Sequence, residues 1–144
     1  VRSISYSERE VFDTRELDLW RRATRLCAYI PERFANVRCH ELARAVGRVL
    51  ALPVEDGLYG FVDHSWLWTR PVQRLPTSRI GWPNILDVYA VGRLPMVMLV
   101  ASEPTGLPHV GWAYRTGPDR RQDIDERQVE ELANLFAARE RDQF

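Results

Sequence analysis

Tyr59-Gly60-Phe61-Val62-Asp63-His64-Ser65-Trp66-Leu67-Trp68 alternates with a period of two. Val62, His64, Trp66 and Trp68 share one face, and Asp63 and Ser65 face the other way. The pattern predicts a strand over about 58–69, with Asp56-Gly57 as the turn before it. Upstream the chain reads as helical. Asp13 followed by Glu16 resembles a capping box, opening a helix that carries Leu17, Trp20, Thr24, Cys27 and Ile30. Pro31 to Asn36 interrupts it. A second helix is predicted from about Val37 to Leu50, with Pro53 beyond its end. Downstream, strands are predicted near 84–90, 96–101 and 109–115. Asp125 to Arg141 reads as an amphipathic closing helix, with Val129, Leu132, Leu135 and Phe136 inward and Gln128 three residues after Asp125. Helices, then antiparallel strands, then a last helix make an α+β fold, with N-terminal helices packed on a small antiparallel sheet.

The 144 residues suit one domain, 1–144, built on one core. Twenty basic residues balance twenty acidic ones, so no global charge draws the chain to nucleic acid or to acidic membranes. Every basic residue is Arg, which excludes Schiff-base, P-loop-lysine and Ser-Lys chemistry. No apolar run approaches the length of a membrane span, and the first ten residues lack a hydrophobic signal region, so a cytoplasmic protein is expected. Two cysteines are too few for a disulfide framework or a structural zinc site, and a reducing cytoplasm argues against a Cys27–Cys39 bridge.

Three positions bear on chemistry. At about 100° per residue, Leu42, Ala43, Val46 and Leu50 fall within roughly 60° of Cys39, so Cys39 points inward. His40 lies at the edge of that stripe, and Glu41, Arg44 and Arg48 are expected on the solvent side. A thiol in a helix's first turn lies among unpaired N–H groups, which favour the thiolate and can hold an oxyanion. The alternative is a packed, inert cysteine. His64, between a valine and two tryptophans, needs hydrogen-bond partners, whether a thiol and a carboxylate or a backbone carbonyl. Asp87 interrupts the apolar strand Ile85-Leu86-Asp87-Val88-Tyr89, so it requires a partner, either a neighbouring histidine or one of the arginines.

In this order, Cys39 at a helix start, His64 in the His64-Ser65-Trp66 strand and Asp87 in a following strand resemble the transglutaminase-like core of the papain-fold cysteine enzymes. The resemblance covers residues from about 37 to 90. It implies a papain-like arrangement in which Cys39 is the nucleophile, His64 the base and then acid, and Asp87 the group that orients His64. The implied chemistry is acyl transfer through a thioester on an amide or ester bond, hydrolytic or transamidating, with no cofactor. The partner is then an amide- or ester-containing substrate, protein or peptide side chains included. Three features depart from the family: 22 residues separate His64 from Asp87 where a short hairpin is usual, no side-chain oxyanion donor is evident beyond Asn36 and Trp20, and the sheet is small, so a substrate groove must come partly from residues 70–83.

Residues 70–83 are Pro-rich, and from Asp63 to Asp87 the chain carries Arg70, Arg74 and Arg79 but no acidic residue between. That segment reads as a lid or binding loop for an anionic substrate, with Arg74, Arg79, Trp66 and Trp82 as substrate contacts, or else as a solvated excursion. A metal site at Cys39-His40-Glu41 with His64 and His109 is disfavoured, because adjacent helical residues diverge by about 100°. The rival function is a catalytically silent binding or regulatory module on the same scaffold. The two differ in one respect: an enzyme needs Cys39 accessible and within hydrogen-bond reach of His64.

Overall fold

The computed structural model describes residues 12–72, 83–101, 114–117 and 123–142. Its helices are α1 (Thr14–Leu26), α2 (Cys39–Leu50) and α3 (Glu126–Asp142), with a short 3-10 turn at Glu32–Phe34. Its strands are β1 (Val54–Tyr59), β2 (Val62–Trp68), β3 (Ile85–Val91), β4 (Leu94–Val100) and β5 (Tyr114–Thr116). They form one antiparallel sheet in the order β4-β3-β2-β1-β5, so the class is α+β. Among the described residues no helix is long and apolar enough to cross a membrane.

α1 begins at the expected capping box. Asp13 Oδ1 accepts from the Glu16 N–H at 2.7 Å, and Glu16 Oε1 accepts from the Asp13 N–H at 3.2 Å. The inward face is rotated from the expected one: Glu16, Leu19, Trp20, Ala23 and Leu26 are buried, whereas Leu17 and Thr24 are only half-buried. Glu16 tolerates burial because it is well partnered. Its oxygens also accept from Thr69 Oγ1 at 2.7 Å and Asn84 Nδ2 at 3.2 Å. Those two residues stand at either end of the long connection from β2 to β3, and Thr69 N–H donates to the Asn84 carbonyl at 2.9 Å. Glu16 thus ties together the two ends of a segment that sequence alone leaves open. The helix ends at Leu26, so Ile30 joins the core from the next turn and is not helical.

α2 packs on β2 and β3 and against both other helices, and its environment corrects the expected solvent face. Only Arg48 is exposed; Glu41 and Arg44 are buried. Both are neutralised where they lie. Glu41 accepts from the Arg38 guanidinium and from the Asp125 N–H at the start of α3. Arg44 makes a two-pronged pair with Asp56 of β1, at 2.9 and 2.6 Å. Leu42, Ala43, Val46 and Leu50 meet Leu67, Leu86 and Val88 of the sheet and Val129, Leu132 and Phe136 of α3 in the main core.

The expected strand over 58–69 is in fact a hairpin. β1 already includes Asp56 and Gly57, and the chain reverses at Gly60-Phe61, with Tyr59 opposite Val62. Gly60 takes the left-handed φ of 61° that a two-residue hairpin loop demands at its first position. Gly57 is needed for a different reason. A Cβ there would lie 2.2 Å from the Arg115 carbonyl oxygen and 2.6 Å from the Trp66 ring. Gly57→Ala is therefore expected to lower stability by about 3 kcal/mol or more by forcing β5 and Trp66 away from β1, read as a fall in the urea midpoint.

The β2–β3 ladder is the feature that positions the site. Its register holds two pairs, Leu67 with Leu86 and Trp68 with Ile85, against seven pairs between β3 and β4. Beyond Leu67 the two strands are no longer paired, and the N-terminus of α2 approaches β2 there.

Candidate active site

Cys39 is the first helical residue of α2 and is half-buried. The intrahelical ladder starts with the Leu42 N–H on the Arg38 carbonyl at 3.0 Å, so the first-turn N–H groups before it lie outside the ladder. Ser65 explains why the thiol sits where it does. Thr69 N–H points toward β3, and alternation along β2 aims the Ser65 N–H the same way. With the β2–β3 pairing ended, that N–H is left unpaired with β3 and acts to lower the Cys39 thiol.

His64 lies on the opposite face of β2 from Ser65, with Trp66 and Trp68, and its side chain is 12% exposed. Leu67 stands opposite Leu86, so Asp87 stands opposite Trp66 and diagonal to His64. The 22-residue separation therefore places the two side chains on neighbouring strands after all. His64 Nε2 is 2.8 Å from each carboxylate oxygen of Asp87. Asp87 is 2% exposed and accepts a further bond from the Tyr114 hydroxyl at 2.6 Å. With Nε2 engaged by Asp87, Nδ1 is the ring nitrogen left for Cys39.

The electrostatics of the pair are reciprocal. Burial acts to raise the Cys39 thiol, but hydrogen bonds from His40, His64 and the Ser65 N–H, together with the His64 charge, hold it at about 6. Burial acts to lower His64, but the Asp87 hydrogen bond and charge, with those of Cys39, raise it to about 9. Between those values the pair exists as thiolate and imidazolium. Cys27 is the contrast: fully buried, its thiol is pushed up to about 12.

Tyr114 is a member of the site that the sequence did not disclose. It lies 2% exposed on β5, and burial with the adjacent carboxylate pushes its phenol well up, so it stays a hydrogen-bond donor to Asp87. Its only sequence signal is an aromatic residue at the end of an expected strand. Aromatic rings surround the imidazole, with centroids at 6.1 Å for Tyr59, 5.9 Å for Tyr89 and 6.2 Å for both Trp66 and Tyr114.

The remaining expected site residues fare differently. Trp66, read as a substrate contact, is 1% exposed. His64 stacks on it, and Trp68 and Tyr114 meet it edge-on, so it backs the imidazole and offers no open surface. Trp82, Arg74 and Arg79 lie outside the described residues, as do His109 and most of the strand expected at 109–115. Of the two oxyanion candidates, Trp20 commits its indole N–H to the Val97 carbonyl at 3.0 Å and is ruled out. Asn36 is exposed in the turn before α2, with a left-handed φ of 66°. Among the described residues, no group of three or more His, Cys, Asp or Glu is placed to hold a metal ion.

No protein-family model, curated protein or solved structure matches the chain.

Proposed function

We propose that the chain is a cysteine-dependent acyl-transfer enzyme acting on an amide or ester bond. The observation that carries this reading is a partly exposed cysteine at a helix start, its thiol lowered by a neighbouring imidazole that is itself held by a buried carboxylate. A silent module has no use for that accessibility or for the aligned pair. The order Cys, His-x-Trp, Asp along helix, strand and strand is also that of the transglutaminase-like core, and it supports the same chemistry.

In this mechanism the Cys39 thiolate attacks the carbonyl carbon and forms a tetrahedral oxyanion, which the first-turn N–H groups of α2 stabilise. The His64 imidazolium gives its proton to the leaving amine or alkoxide, and a thioester remains on Cys39. His64, now neutral, takes a proton from the incoming water or amine as it attacks the thioester, and the thiolate is regenerated. Asp87 holds the Nε2–H of His64 throughout, with Tyr114 fixing the carboxylate. A reducing cytoplasm, which keeps a free thiol nucleophile active, is the location we propose.

The test is the rate of iodoacetamide alkylation against pH, with Cys39 and Cys27 read separately by peptide mass spectrometry. Cys39 is expected to inflect near pH 6 while Cys27 stays inert. His64→Ala is expected to move the Cys39 inflection up by at least about one unit, a roughly tenfold slower reaction at pH 6. A wild-type Cys39 that is inert, or that inflects near the ordinary thiol value of about 8.5, overturns the proposal.

A further inference from the structure

Cys39 has a second histidine beside it. His40 Nδ1 is 3.9 Å from Cys39 Sγ and 2.6 Å from Ser65 Oγ, and the residue is 5% exposed. Behind Ser65 the network continues. Ser65 Oγ donates to Asp56 Oδ1 at 2.6 Å, and Arg44 Nη1 and Nη2 donate to the two Asp56 oxygens. Arg44 also donates to the His40 carbonyl at 3.1 Å. Ser65 is fully buried, and the Arg44 and Asp56 side chains are each 8% exposed.

Counting donors along this network fixes a proton. A guanidinium only donates, and a carboxylate paired with it only accepts. The single Ser65 hydroxyl proton is therefore directed at Asp56, and Ser65 Oγ offers His40 only lone pairs. The proton on the His40–Ser65 bond must sit on His40 Nδ1. That nitrogen cannot accept a proton from the thiol, in contrast to Nδ1 of His64, whose proton is carried on Nε2 toward Asp87.

We propose that His40 is a positioning residue of the Cys39 site: its Nδ1–H, given to Ser65 Oγ and locked there by Asp56 and Arg44, holds the positive N–H edge of the ring 3.9 Å from the Cys39 sulfur, where it favours the thiolate, and takes no part in proton transfer. The proposal rests on the reading of Cys39 as the nucleophile and divides the labour between two histidines. His64 moves the proton, and His40 holds the sulfur. The lowering of the Cys39 thiol by His40 agrees with this geometry. The other ionisable groups around the sulfur are His64 on β2 and, behind it, Asp87 on β3 with the phenols of Tyr59, Tyr89 and Tyr114. Arg38 and Glu41, its neighbours along α2, are paired with each other.

The test compares the pH profile of Cys39 alkylation in the wild type, His40→Leu, His40→Asn, His64→Ala and the His40→Leu/His64→Ala pair. Asparagine keeps an N–H where the imidazole Nδ1–H stands, and leucine does not. His40→Leu is expected to raise the inflection by about one unit, His40→Asn to restore most of that shift, and the pair of changes to bring Cys39 to about 8.5. Long-range 1H–15N correlation of the three histidines in the wild type gives an independent readout that needs no variant to fold. His40 Nδ1 is expected to remain protonated while Cys39 titrates. A folded His40→Leu protein with the wild-type profile, or a His40 whose Nδ1 carries a lone pair, overturns the proposal. If His64→Ala shifts the profile and His40→Leu does not, only this proposal falls. If wild-type Cys39 behaves as an ordinary thiol, the enzymatic reading falls with it.

Discussion

Removing the Asp87 carboxylate is expected to slow acylation of Cys39 by an activated ester by roughly three orders of magnitude. His64 Nε2 contacts both Asp87 oxygens, so the carboxylate selects the tautomer that leaves Nδ1 facing the thiol. Without it His64 loses the largest influence holding its imidazole up at about 9, and the thiolate loses its counter-charge. Asp87→Ala and Asp87→Asn should both show the loss, the asparagine protein less severely because an amide oxygen can still meet Nε2–H. The same variants carry a pH signature in stability. His64 has a folded-state value above its unfolded one of about 6.5, so its contribution is full below that pH and is lost as pH rises through about 9. Cys39, lowered, contributes above its unfolded value of about 8.5 and loses that contribution as pH falls through about 6. Both effects come from one pair and count once. Urea midpoints of Asp87→Ala across pH 5–10 should lose the fall near pH 9. Unchanged ester kinetics and an unchanged midpoint curve in both variants would take Asp87 out of the mechanism.

What the sequence disclosed and what it hid follow from where each residue's partner lies. Cys39, His64 and Asp87 were legible because each breaks a local pattern: a thiol at a helix start, an imidazole in an aromatic strand, a carboxylate in an apolar one. The Asp13–Glu16 capping box was legible because it is complete within four residues. The misreadings are the long-range cases. Glu55-Asp56-Gly57 has the composition of a turn, yet Asp56 lies in a strand because Arg44, twelve residues back on α2, neutralises it. Gly57 lies there because β5 and Trp66 need the space. Arg44 and Glu41 were placed in solvent because helical periodicity knows only the helix's own faces, and α2 is covered by the sheet and both other helices. Tyr114 and Ser65 carried no local anomaly at all. A tyrosine and a serine in strands become part of a site only through the carboxylates they meet.

Asp56→Ala is expected to destabilise the protein by about 3–5 kcal/mol, a fall in Tm of the order of 10 °C or more. The Arg44–Asp56 contact is 2.6 Å long with each side chain 8% exposed, so deleting one partner leaves a buried charge with little water to replace it. Arg44 then keeps its bond to the His40 carbonyl, which carries no charge to balance the guanidinium. Replacing both charges by apolar side chains of similar size, Arg44→Met with Asp56→Leu, should recover most of the loss, because a buried pair returns little beyond its own desolvation. The double variant then separates two roles that the single variants mix. Without Asp56 the Ser65 hydroxyl proton has no carboxylate to meet and is free to turn toward His40, so the imidazole is no longer held with its Nδ1–H edge beside the thiol. Stability near the wild type combined with a raised Cys39 inflection would mean that the pair is kept for what it does to His40. A double variant as stable as the wild type, whose Cys39 still reacts with the wild-type pH profile, would reduce the pair to a packing feature and leave His64 alone to set the thiolate.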